Sequence, residues 1–424
     1  MIKHKKITTK NGLRIVHIPM KDNPATTVLV LSESGSKYES KEQNGISHFL
    51  EHVCFKGTAK RPGAFKISEE LDSIGAQYNA FTSHEFTGYY AKAPIRQFEK
   101  ILDVVSDLYL NPSLPAKELE KEKGVILEEI NMYEDLPQRV VMDMFMSLLY
   151  GDQPAGRNIL GTKETVSSFS REDVVNYRSK HYVSEGTLVL VSGNLPSKEV
   201  FKKVESAFAG ISETKKSGKK RVAQKQTKPA QVHRQRKVDQ AHLVLGFRTF
   251  QANHKDSATL QIINGVLGGG MSSRLFQKLR DEMGVAYYVR SFEDLYTDHG
   301  YMAVRAGVTQ NRLKEIVSVI CEEFKKLKEE KVSPKELKKV KEYITGSMLL
   351  GLETSDSVAE FYAEQEILEG KMRDPKSITR EIQSVTAEDV QRVARKIFCN
   401  KNLNLSFVNK DKNSPNLGSV LSVE

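Results

Sequence analysis

Alternation, runs and turns of apolar residues divide the chain into recognisable elements. Residues 5–10 and 13–18 flank Asn11-Gly12, a strong two-residue hairpin signal, and predict a hairpin over 5–19. The run Thr26 to Ser32 is apolar or β-branched up to Leu31 and reads as a buried strand. A helix follows around His48, and a second over 66–74, stopped by Gly75. Residues 76–83 and 85–93 alternate as two strands around a short turn. Helical periodicity then covers 95–110, 117–134, 138–150 and 171–181, and a last strand of this half covers 187–192. From 211 to about 240, Lys, Arg, Gln and Ser replace the apolar pattern. That stretch predicts an exposed, self-repelling linker.

The second half repeats the first. Lys117-Glu-Leu-Glu-Lys-Glu-Lys matches Lys335-Glu-Leu-Lys-Lys-Val-Lys, and Ser170-Arg-Glu-Asp-Val matches Thr386-Ala-Glu-Asp-Val. Thr187-Leu-Val-Leu-Val-Ser-Gly-Asn matches Asn402-Leu-Asn-Leu-Ser-Phe-Val-Asn. A period near half the chain means a duplicated domain and not a short-period solenoid. The expected division is residues 1–212, a basic linker 213–237, and 238–424. Each half is expected to be an α+β unit with a mixed or antiparallel sheet and helices packed on it.

The candidate chemistry lies in the first half. His48-Phe49-Leu50-Glu51-His52 is an H-x-x-E-H pattern, the inverse of H-E-x-x-H. On a helix, residues i and i+4 share a face, so both imidazoles can turn toward one ion. Two neutral imidazoles suit zinc, and a catalytic site needs a third ligand with one position left for water. Downstream, Glu122 and Glu129 are two helical turns apart. Glu129 shares the face of Glu122 and is preferred over Glu128 as third ligand. In the repeat register Glu122 corresponds to Val340 and Glu129 to Ser347. The segment opposite the His48 helix, 258–266, holds no histidine, so the second half cannot bind the same metal. The Gly268-Gly-Gly-Met-Ser-Ser stretch lacks the Gly-Lys-Ser/Thr of a phosphate loop and reads as a turn before a helix.

These residues resemble the insulinase-type M16 zinc metallopeptidases, the inverzincins. The match runs through His-Phe-Leu-Glu-His at 48–52, Phe-Lys-Gly-Thr at 55–58, Tyr-Asn-Ala-Phe-Thr at 78–82 and Thr-Gly-Tyr-Tyr at 87–90. It continues through Glu122 and Glu129, Gly-Arg-Asn-Ile-Leu-Gly-Thr at 156–162 and Ser-Ser-Arg-Leu-Phe at 272–276. Within that family the chain resembles the short, two-domain branch that includes mitochondrial processing peptidase and its bacterial relatives. The resemblance implies a clamshell of two duplicated α+β domains, the first catalytic and the second inactive. It implies one Zn2+ per chain on His48, His52 and Glu129, with Glu51 as general base and Glu122 supporting the site. Arg280 and Tyr287 are implied in substrate binding and stabilisation of the tetrahedral intermediate, with Tyr288 as the neighbour to be distinguished. Asn79 and Ala80 are implied at the substrate edge. The implied activity is endopeptidase hydrolysis of peptides or unfolded segments; the alternative is a noncatalytic scaffold subunit. A full chamber needs four such units, so a homodimer, or a heterodimer with a related M16 chain, is expected.

Composition narrows the setting. The 424 residues are 39% hydrophobic and 28% charged, typical of a globular chain. No run of about 18 apolar residues predicts a membrane span. The basic N-terminus is followed by a polar stretch and not by a signal core. Cys54, Cys321 and Cys399 are few and far apart, which fits a reducing compartment, and a cytoplasmic location is expected. Cys54 reads as a core residue. The net charge of +10 concentrates partly in the linker. No aromatic residues interleave those charges, so a nucleic-acid partner is not expected.

Overall fold

Asn11 and Gly12 close the first hairpin of the computed structural model, which describes residues 3–412 and 417–424. Met1 and Ile2 of the basic N-terminus, and 413–416 of the expected second domain, lie outside the described residues. Gly12 has φ +87°, a left-handed conformation open to glycine without a Cβ penalty. The turn pairs β1 (Lys5–Thr8) with β2 (Arg14–Pro19), Thr8 opposite Arg14. With β3 (Ala25–Ser32), β4 (Gln77–Thr82), β5 (Thr87–Pro94) and β6 (Thr187–Gly193) they form a six-stranded sheet, ordered β1-β2-β6-β3-β5-β4. β2 and β6 run parallel and the other neighbours antiparallel, so the sheet is mixed. β4 lies at an edge.

Four helices of this unit follow the predicted pattern: α1 (Ile46–Cys54), α2 (Ala64–Asp72), α3 (Phe98–Leu110) and α4 (Ala116–Glu134). β6 is buried along its whole length, because both faces of the sheet are covered. α3 packs against β3 and β5. The helix Ser355–Glu364, from the second half of the sequence, packs against β3 and β6. There Val358, Ala359, Tyr362 and Ala363 close a core with Val16, Ile18, Leu29, Leu31, Leu188 and Leu190.

The second sheet repeats the first without its outer strand. β7 (Ala230–Gln235), β8 (Ala241–Thr249), β9 (Ala286–Leu295), β10 (Gly300–Val308) and β11 (Leu403–Asn409) are ordered β7-β11-β8-β10-β9. β7 and β11 run parallel, as β2 and β6 do. The helix α5 (Pro137–Tyr150), from the first half of the sequence, packs on β8 and β11. Val140, Val141, Phe145 and Leu149 bury against Val244, Tyr301 and Val408.

The compact units therefore differ from chain order. One comprises Met1–Asn131, Arg157–Lys220 and Gly351–Asp374; the other comprises Met132–Gly156, Arg221–Leu350 and Pro375–Glu424. The basic stretch expected as linker over 213–237 also differs at its two ends. Its last part is β7, a polar edge strand held to β11 by backbone pairing, which needs no apolar pattern. Near its start, Lys216 pairs with Glu33, and Lys219 Nζ lies 3.0 Å from Glu85 Oε1. These ion pairs offset the self-repulsion read from the sequence. Among the described residues, no helix is long and apolar enough to cross a membrane.

Candidate metal centre

α1 is fixed before its functional residues begin. Gly45 stands at its N-terminus with φ +96°, and a Cβ there would meet Leu160 O at 2.5 Å. The buried Glu39 carboxylate accepts from Gly45 N at 2.8 Å and Ser47 N at 2.9 Å. It thus satisfies N–H groups that helix geometry leaves unpaired, at the end where the dipole favours negative charge. Phe49, Leu50 and Val53 are fully buried. Their burial orients the opposite side of the helix, which carries His48, Glu51 and His52.

His48, His52 and Glu129 converge. Each offers one ligand atom, and the three atoms lie within 4.8 Å of one another. His48 Nε2 is 3.6 Å and His52 Nε2 is 3.7 Å from Glu129 Oε2. That oxygen is buried without a hydrogen bond, as is His48 Nδ1. An unpartnered buried carboxylate oxygen is costly, and a cation between it and the two Nε2 atoms would supply its partner. Two imidazoles and a carboxylate are the donor types zinc takes, so the residues present fit the group. Glu128, one residue away, is exposed.

Glu122 holds the second histidine. Its Oε1 lies 2.8 Å from His52 Nδ1, which leaves His52 Nε2 turned toward Glu129 Oε2. Lys56 Nζ sits 2.6 Å from the other oxygen, Oε2. Burial, then the neighbouring His52, push His48 down to about 3, so it stays neutral. Burial opposes charge on His52 too, but the Glu122 hydrogen bond and nearby carboxylates raise it overall. Nothing in the sequence marked Lys56 for this contact. It lies in the Phe-Lys-Gly-Thr run, four residues beyond His52.

Glu51 stands outside the converging three. It is 8% exposed, and burial raises its carboxyl above the usual range while a Thr82 hydrogen bond opposes the rise. Thr82 Oγ1 donates to Glu51 Oε2 at 2.6 Å. Thr82 comes from β4, the strand that also carries Asn79 and Ala80. Asn79 is exposed, and its Oδ1 accepts from Ala80 N at 2.9 Å. Cys54, at the end of α1, is buried against the Tyr89 hydroxyl at 3.5 Å, as a core position requires.

Arg280 and Tyr287 lie in the second unit. Arg280 belongs to a π-helical turn, Gln277–Glu282. Its Nη1 donates to Tyr287 O at 3.1 Å, and its guanidinium lies 5.1 Å from the centre of the Phe276 ring. Tyr287 is 72% exposed on β9. Tyr288 turns the other way, its hydroxyl 3.0 Å from His242 Nδ1, which separates the two neighbouring tyrosines.

Comparison with known proteins gives a consistent pattern. Residues 14–163 match the family model described as insulinase, peptidase family M16. Residues 168–344 match the model of the peptidase M16 inactive domain. The chain is 37% identical to YmxG of Bacillus subtilis, named an uncharacterized zinc protease, over 97% of this chain and 99% of that one. An uncharacterized zinc protease of Rickettsia bellii is 32% identical over 92% and 93% of the two chains. Among solved structures, a protease from Helicobacter pylori superposes with a TM-score of 0.88 at 25% identity, covering 96% of this chain and 99% of that one.

Proposed function

The chain belongs to the insulinase-type M16 peptidase family, and from that premise we propose that it is a zinc-dependent endopeptidase acting on peptides or unfolded segments. The observation that carries the reading is the convergence of His48 Nε2, His52 Nε2 and the hydrogen-bond-free Glu129 Oε2. These three residues would hold the ion, with His52 oriented by Glu122. Bound there, zinc supplies a Lewis acid that polarises a carbonyl and brings the pKa of water toward about 7.

The remaining steps belong to the chain. Glu51 is buried beside the ligands but is not one of them, so its carboxylate is available for proton transfer. It takes the proton of the attacking water at Oε1 and returns it to the leaving amine. Burial makes Glu51 a stronger base than an exposed carboxylate. β4 offers an open sheet edge, which suits an extended peptide bound through its backbone with limited side-chain selectivity. Asn79 and Ala80 stand on that edge. Arg280 and Tyr287 are assigned to binding substrate and stabilising the tetrahedral intermediate in a partner subunit's site. The second unit has Val340 and Ser347 where the first has Glu122 and Glu129, in keeping with its match to an inactive domain.

The test is to purify the chain without added metal, then measure its zinc, its mass in solution and its cleavage of an unbiased peptide library. About one zinc per chain, a dimeric mass and metal-dependent cleavage are expected. Two zincs per chain would contradict a single ligand set. Loaded protein that cuts no peptide would favour the scaffold reading.

A further inference from the structure

Thr82 joins two roles through different atoms. Its hydroxyl bonds the Glu51 carboxylate at 2.6 Å. Its main chain faces the open edge of the sheet. The pairing shows this: Ala80 N donates to the Asn79 side chain, while Ser83 N donates across the turn to Phe86 O at 2.8 Å. Backbone groups alternate sides along an antiparallel strand, so Tyr78, Ala80 and Thr82 present theirs outward. Side chains alternate between faces as well, and α1 packs against β4. The residues whose backbone would receive a peptide are therefore also those whose side chains lie on the α1 side.

We propose that Thr82 is a positioning residue that couples docking of an extended peptide on β4 to the orientation of the Glu51 carboxylate. This rests on the peptidase reading above. A glutamate carboxylate turns about a broad terminal torsion, so without a donor its two oxygens are not fixed. Threonine is stiff at χ1, so the direction of its hydroxyl follows the backbone of β4. β4 has one neighbour, β5. A peptide pairing on the other side gives it a second and holds the backbone that aims the hydroxyl. Substrate docked by its main chain thus holds in place the alignment that the Thr82 hydroxyl already gives the base, whatever its side chains.

The test compares Thr82→Val, which keeps shape and strand preference but loses the donor, with Thr82→Ser, which keeps the donor. The probe is a quenched fluorescent peptide chosen from sequences the wild type cuts. Thr82→Val should retain wild-type zinc content and affinity and a KM within about twofold, while kcat falls roughly 10- to 100-fold, part of the effect of a general base. Thr82→Ser should recover most of kcat. A second readout needs neither metal nor turnover. In zinc-free protein the Glu51 carboxylate stretch, assigned by its loss in Glu51→Gln, should shift in Thr82→Val and return in Thr82→Ser. An unchanged kcat in Thr82→Val, or a loss of zinc with it, overturns the proposal. If the loaded wild type cleaves nothing, the peptidase reading fails, and an unshifted stretch then overturns the Thr82 assignment separately.

Discussion

Glu128 and Glu129 differ by one position and by their whole surroundings. Glu129 turns a buried, hydrogen-bond-free oxygen toward His48 and His52, while Glu128 is exposed. Glu129→Gln should therefore weaken zinc binding by more than the roughly 10- to 100-fold typical of a supporting residue. Glu128→Gln should leave affinity and turnover unchanged. Glu51→Gln should keep the metal and lose about two to four orders of magnitude in turnover, because an amide cannot serve as base. Metal titration and peptide hydrolysis on the three variants check this; equal effects of the two neighbours would undo the choice of ligand. That His48 shares a face with His52, and Glu122 with Glu129, was legible from helical spacing; that the two pairs meet was implied only by the resemblance. Thr82 and Lys56 were not legible. Their contacts depend on β4 and α4 arriving beside α1, which no local period encodes.

At the scale of elements, the strands and long helices followed their patterns, but which sheet a helix covers did not. The helix Ser355–Glu364 and α5 are each apolar on one side, and that pattern is satisfied equally by any apolar sheet face. The structure assigns each to the sheet of the other half. β7 was illegible for a different reason. Ala-Gln-Val-His-Arg-Gln has little apolar content, and backbone pairing to β11 makes it a strand. The exchange has a measurable consequence. Tyr362 is fully buried in the core formed with β2, β3 and β6. Tyr362→Ala should cost about 3–5 kcal/mol, as for other large aromatic truncations. Hydrogen exchange should then rise in β2, β3 and β6, from the opposite end of the sequence, while β8 and β11 remain protected. Loss of protection in β8 and β11 instead would contradict the assignment of the helix.

The whole chain passes between its two units at 131/132, 156/157, 220/221, 350/351 and 374/375. A single cut in the basic stretch therefore does not separate them. Trypsin acting at the exposed Lys225 should give two fragments on a denaturing gel and an unchanged mass under native conditions. Each fragment carries a helix that belongs to the unit built mainly from the other. Fragments that part on native size exclusion would contradict this. The same exchange matters during synthesis. By the time β6 leaves the ribosome, the first sheet has all its strands, yet one apolar face waits for residues 355–364. At about 5–20 residues per second, that interval is on the order of ten seconds. Throughout it, Val16, Ile18, Leu29, Leu31, Leu188 and Leu190 have no native cover. The nascent chain thus carries an exposed apolar face from about residue 193 until residue 364 is made, and a pause placed shortly after the codons for β6 should aggregate it more than one placed after residue 374.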